Sequence, residues 1–207
     1  MRSSKTRGFS LIEMMVTLSI ALVACGILMM GAQPSLREAR VGAAYNTTLN
    51  VLRLARDTAI GQRQTYTVTF NHIGNPATPD NLVLTNVLTG KIIDTYKLPT
   101  DVYYMVLPQF PVSPVNFPTT PDGFGVRAFA IDFDQGVAGG AQNVVYFLPD
   151  GSAQDVNGNI NNGVVYIARP GDYYSARALT LWGATGRLRG WRMDQAPGAG
   201  TYYWRQM

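Results

Sequence analysis

A lone carboxylate at the front of a long apolar run constrains this chain more than any other feature. Arg7-Gly8-Phe9-Ser10-Leu11-Ile12-Glu13 opens a stretch that carries no further charge as far as Met30. A carboxylate at the centre of a membrane-spanning helix costs about 2.5–3.5 kcal/mol, and less near the helix end, so one placed there calls for a partner. Arg2, Lys5 and Arg7 precede the run and form a short basic leader, which the positive-inside rule keeps on the cytoplasmic side. Gly8 has no side chain, so a peptidase can approach the Gly8–Phe9 bond closely. A cut there would expose a new amine on Phe9, four residues before Glu13. That amine, on the same chain or on a neighbour, is the natural counter-ion for the carboxylate.

The basic leader, Gly8, Phe9, the apolar run and Glu13 as fifth residue after the cut together resemble the class III signal of type IV prepilins and pseudopilins. The resemblance implies cleavage after Gly8, N-methylation of Phe9 and storage in the inner membrane, leader cytoplasmic and globular domain periplasmic. It also implies assembly into a helical filament, in which Glu13 docks a subunit by pairing with a neighbour's N-terminal amine. The implied partners are the prepilin peptidase, other pseudopilins or minor pilins, and an inner-membrane assembly platform.

Two other readings compete for the same residues. An ordinary secretory signal has a basic start and an apolar core of about 7–15 residues. The run from Met14 to Met30 is longer, and Glu13 stands inside its front edge. Leu22-Val23-Ala24-Cys25 resembles a lipobox, which would be cut before Cys25 and acylated on it, leaving Gly8, Phe9 and Glu13 without a role. In the pilin reading Cys25 is a small hydrophobe facing other helices or lipid. As the sole cysteine it cannot close an intrachain disulfide, so cysteine usage does not report the compartment.

Removing residues 1–8 from the 207-residue chain leaves 199, enough for one helix and one globular domain. Residues 9–32 form the transmembrane or filament-core helix, which spans roughly 36 Å at 1.5 Å per residue. Pro34 withholds a backbone donor and is expected to kink or break the helix at the membrane exit. Over residues 33–62, Tyr45, Leu49, Leu52, Ala55 and Ala59 recur at three- and four-residue spacing, with Asn46, Asn50, Arg53 and Asp57 on an adjacent face. That pattern predicts an amphipathic helix ending near Gly61. After it the period becomes two. Thr65–Phe70, Leu82–Val87, Val102–Val106, Val126–Phe133, Val144–Leu148, Val164–Ala168 and Ala178–Trp182 read as strands, separated by turn residues such as Thr89-Gly90, Pro149-Asp150-Gly151 and Asn157-Gly158. The fold class is therefore α+β: one long helix packed on a mostly antiparallel two-sheet β domain over residues 63–207. Prolines 108, 111, 114, 118 and 121 mark residues 108–125 as an extended surface loop, since proline cannot donate within a sheet.

The soluble part narrows the resemblance. Leu52-Arg-Leu-Ala-Arg56 with Ala59-Ile60, Phe147-Leu-Pro-Asp-Gly-Ser-Ala153 and Gly186-Arg-Leu-Arg189 follow one another as in the GspH/FimT group of minor pseudopilins. Membership implies a structural subunit that initiates or caps a type II secretion pseudopilus or a type IV pilus. The Gly-Arg-x-Arg motif resembles the DNA-binding element of FimT-type pilins, which implies DNA as a second partner, contacted by Arg187 and Arg189.

Charge focuses attention on the same tail. Between Gln64 and Ala168 three cations face eight aspartates, a net −5, whereas from Arg169 onward six arginines face two aspartates, a net +4. Ala178–Trp182 and Arg187–Met193 read as a hairpin, with Arg187, Arg189 and Trp191 on one face of its second strand and Arg192 on the other. Tyr202, Tyr203, Trp204 and Arg205 follow. Arginine clamps phosphate and aromatic rings stack on bases. Arginines also solvate an edge strand and discourage aggregation, and Trp182 and Trp191 suit a core equally well. Catalysis is not expected. His72 is the only histidine, no glycine-framed serine appears, and no metal or cofactor is implied. Asp155–Gly163 places oxygen side chains at alternate positions as calcium loops do. It lacks their glycine and terminal glutamate, and reads as an Asn-rich turn.

Overall fold

The computed structural model describes residues 10–73, 78–107, 121–125, 129–133, 143–195 and 202–207. Gly8 and Phe9 lie outside the described residues, as does most of the proline-rich stretch. The chain divides into two compact units, Met1–Glu38 and Ala39–Met207. One helix, α1 (Leu11–Gln62), contributes to both.

In the first unit every side chain from Leu11 to Met29 is exposed. The segment is long and apolar enough to cross a membrane, by length and composition. Its two hydroxyl side chains are satisfied internally: Thr17 donates to the Met14 carbonyl at 3.0 Å and Ser19 to the Met15 carbonyl at 2.8 Å. Pro34 lies inside α1, so of the expected kink or break there is no break. A proline forfeits one intrahelical bond, and the turns on either side carry the helix past it.

In the second unit the helix buries Val41, Ala44, Thr48, Val51, Leu52, Ala55 and Ala59, while Asn46, Asn50, Arg53 and Asp57 stay exposed. Tyr45 and Leu49, predicted on the stripe, flank it half-buried. Thr48 shows how the stripe admits a hydroxyl: it donates to the Ala44 carbonyl and accepts from the Tyr104 phenol at 3.2 Å. Burial pushes the Tyr104 hydroxyl well above the usual tyrosine range, so it stays a donor.

The helix stops at Gln62 in a Schellman arrangement. Arg63 takes φ +52° and the Gln64 amide reaches back to the Ala59 carbonyl at 3.2 Å. Glycine favours that left-handed position, and Gly61 sits two residues too early to occupy it. An Arg63→Gly variant is expected to be more stable by about 1 kcal/mol, read as a raised unfolding midpoint. An unchanged or lowered midpoint would mean that Arg63 gains something elsewhere that offsets its strain.

Eleven strands follow among the described residues: β1 Tyr66–Asn71, β2 Asn81–Asn86, β3 Ile92–Lys97, β4 Tyr103–Tyr104, β5 Ile131–Asp132, β6 Val144–Phe147, β7 Ala153–Gln154, β8 Gly163–Arg169, β9 Asp172–Trp182, β10 Arg187–Gln195 and β11 Tyr202–Gln206. They make two sheets, ordered β3-β2-β1-β6-β7 and β11-β10-β9-β8-β4, with β5 also on β8. Every strand pair among the described residues is antiparallel. The α+β two-sheet architecture is thus as the sequence predicts. Tyr66, Val68 and Phe70 alternate inward from β1, and Val165, Ile167, Leu179 and Leu181 from the second sheet, enclosing the helix stripe in one core.

The second sheet is buried on its other face as well. Val164, Tyr166, Ala168, Ala176 and Ala178 point there, covered by Leu107, Phe124, Met193 and Trp204. Burial on both faces explains why Val164–Ala168 of β8 reads as an unbroken apolar run. A buried aspartate ties the edges together: Asp80 accepts from the Ile73 and Tyr104 amides at 2.9 and 2.8 Å, and lies 2.8 Å from His72 Nδ1. His72 is thus a half-exposed loop residue with a partner inside the domain.

Candidate functional site

Glu13 stands in the first turn of α1, where unpaired amides favour a carboxylate. It is exposed, flanked by exposed Leu11, Ile12, Met14 and Met15, and has no ion-pair partner among the described residues. An anion on a bare apolar helix end is chemically incomplete. Placed in a membrane, such a carboxylate would be costly without a partner.

The second site is a junction that assembles three distant stretches of sequence. Arg56 of α1 donates from Nε to the Gly151 carbonyl at 3.2 Å and from Nη2 to the Thr185 carbonyl at 3.0 Å. Gly151 belongs to the Pro149–Ser152 turn, in which the Ser152 hydroxyl and amide both donate to Asp150 and hold its carboxyl below the usual range. Thr185 and Gly186 belong to the β9–β10 turn, whose Gly186 amide caps the Trp182 carbonyl at 2.7 Å. Gly186 takes φ +61°, and a Cβ on it would lie 2.2 Å from the Gly151 carbonyl oxygen and 2.6 Å from Arg56 Nε. Backbone from two turns therefore crowds one guanidinium, and only glycine fits between.

Beyond that turn β10 carries the two candidate arginines to different fates. Arg187 is exposed. Arg189 donates from Nη1 to Asp122 at 2.8 Å and lies 5.3 Å from the centre of the Trp182 ring. Asp122 sits at φ +54° in the short 3-10 turn Pro121–Gly123, and its other oxygen accepts from the Thr180 hydroxyl at 2.6 Å. Thr180 in turn accepts from Trp191 Nε1 at 3.0 Å. Phe124 packs edge-on to Trp182 at 4.9 Å. Arg189 and Trp191 do share one face of β10, and that face fastens the end of the proline-rich stretch to the second sheet. Trp182 and Trp191 belong to the packed layer rather than to an open stacking platform. Arg205 is likewise paired, with Asp194 at 2.9 Å.

The Asp155 loop is self-contained. Its carboxylate accepts from the amides of Asn157 and Asn159 and from the side chains of Asn159 and Asn161. Burial pushes the Asp155 carboxyl up, and these bonds outweigh it and bring it below the usual range.

Residues 3–29 match the family model of the prokaryotic N-terminal methylation motif. The chain opens with a prepilin-type signal. No curated protein matches the chain. Among solved structures, the crystal structure of the type IV minor pilin FimU from Pseudomonas aeruginosa strain PAO1 is similar, at 12% identity and a TM-score of 0.42. That similarity covers 76% of this chain and 89% of FimU, and no residue role transfers at such identity.

The matched residues 3–29 include Lys5, Arg7, Gly8, Phe9 and Glu13. Sequence reasoning missed Asp122, read only as part of a surface loop, although it anchors Arg189. Nothing in the local sequence around Asp122 marks that role, because it depends on a segment 67 residues further along the chain.

Proposed function

We propose that this prepilin-like chain is a minor pseudopilin or minor pilin of the GspH/FimT type, a structural subunit that initiates or caps a type II secretion pseudopilus or a type IV pilus. The methylation motif over residues 3–29, running into an exposed apolar helix with Glu13 in its first turn, carries this reading. Cleavage after Gly8 creates an amine on Phe9, four residues before Glu13, which stays cationic when methylated. The apolar half of α1 holds the subunit in the inner membrane, with the β domain in the periplasm, until assembly. Partner subunits dock by matching an amine to a carboxylate in a low-dielectric setting, and the protein itself catalyses nothing.

Glu13→Ala is expected to leave processing and membrane insertion intact and to reduce co-purification with partner subunits about tenfold or more, because a buried charge loses its counter-ion. Co-purification at the wild-type level would remove Glu13 from docking.

A DNA-binding role of the FimT kind is the second reading. Arg187 favours it, being exposed. Arg189, held by Asp122 and covered on one side by Trp182, favours a tail that is structural or contacts a subunit.

A further inference from the structure

Beside the Arg56 junction lies an open cleft of about 390 Å³, lined by Arg53, Arg56, Asp57 and Arg187 together with the β9–β10 turn. The side chains of Arg53 and Arg187 are exposed and make no hydrogen bond or ion pair among the described residues, and only the Arg187 amide is engaged, donating to the Thr185 hydroxyl at 3.3 Å. Arg56 enters the cleft already oriented, because its bonds to Gly151 and Thr185 use Nε and Nη2. Three guanidinium groups thus face one carboxylate, Asp57, in a surface that the fold holds in place. Guanidinium forks match planar oxyanions through paired, charge-assisted bonds.

We propose that this cleft receives an acidic side chain, or a pair of them, from a partner subunit; the proposal rests on the subunit reading above and names the partner's chemistry. A carboxylate is favoured over a nucleic acid by what surrounds the cleft. A polyanion needs a track of free cations and exposed rings along its length. Here Arg189 and Arg205 are consumed by Asp122 and Asp194, Arg177 by the carbonyls of residues 174–176, and Trp182 and Trp191 by the packed layer. Around the cleft itself the free positive charge is local, carried by Arg53, Arg56 and Arg187 and sized for one or two carboxylates. It joins the end of α1 to the C-terminal hairpin, so a partner seated there would touch both.

The full chain in detergent micelles tests this with a fluorescently labelled peptide containing two adjacent glutamates, read by anisotropy. The expected result is binding that weakens with added salt and is lost when the glutamates become glutamines. The double variant Arg53→Gln/Arg187→Gln should bind the peptide about five- to tenfold more weakly at an unchanged unfolding midpoint, whereas Arg205→Gln should bind as wild type. Equal binding by the double variant and the wild type would overturn the proposal. So would a single-stranded oligonucleotide binding more tightly than the peptide through the same two arginines. If the cleft fails while Glu13→Ala still reduces co-purification, the subunit reading stands and only the cleft's assignment falls.

Discussion

Gly186→Ala is expected to destabilise the β domain by about 2–4 kcal/mol, a large part of the 5–15 kcal/mol that holds a typical domain together. Two costs combine. The residue sits at φ +61°, where a side chain is strained by roughly 1–2 kcal/mol. Its new Cβ would also meet the Gly151 carbonyl oxygen at 2.2 Å and Arg56 at 2.6 Å, and the first of these is backbone that cannot swing aside. Relieving the overlap means moving one of the two turns that Arg56 joins, which loosens its bonds to both carbonyls. Gly90→Ala separates the two costs, because Gly90 has a similar φ of +66° and nothing within 4 Å of its Cβ position. Chemical unfolding of both variants should place Gly186→Ala at least about 1 kcal/mol below Gly90→Ala. If the two lose equal stability, the junction yields freely and the crowding at Arg56 does not matter.

Gly8→Leu is expected to leave nearly all of the protein as uncut precursor. The reason is local: a peptidase reading the leader must bring its catalytic groups against the Gly8–Phe9 bond, and a branched side chain there stands in the way. The effect should be close to all-or-none, since no other glycine precedes Phe9 to offer a substitute cut. Whole-cell mass spectrometry of the membrane fraction would show the eight-residue leader still attached. Efficient cleavage of this variant would mean that the cut lies elsewhere or that the leader is read without regard to the residue before Phe9.

How legible each feature was depended on whether its cause lies nearby in the sequence. The N-terminal signal is entirely local, so residues 2–13 sufficed to raise it, and the helix stripe and inner strands followed from period alone. β3 was missed because Ile92–Lys97 is almost wholly exposed and so shows no alternation. β11 was passed over because Tyr202–Gln206 buries only Trp204 fully, and its aromatic residues suited a binding tail as well as a strand. β9 starts at Asp172, six residues before the stretch that reads as a strand, since tertiary pairing with β8 outweighs the low propensity of its aspartate and serine. The helix passes Pro34 because one lost bond does not outweigh the turns around it. Arg189 looked like a phosphate ligand because its partner, Asp122, is 67 residues away on a stretch with no secondary-structure signal. The junction at Arg56 is the converse case. Three motifs too weak to interpret singly turn out to touch one guanidinium, which gives a physical reason for their joint presence.

Maturation as a pilin-like subunit is read from the N-terminus of the membrane-extracted protein. Intact-mass and N-terminal fragment spectra, taken from cells that contain a prepilin peptidase, should show a chain beginning at Phe9 and carrying one N-methyl group. A mature chain beginning at an acylated Cys25, or one that still begins at Met1, would contradict it.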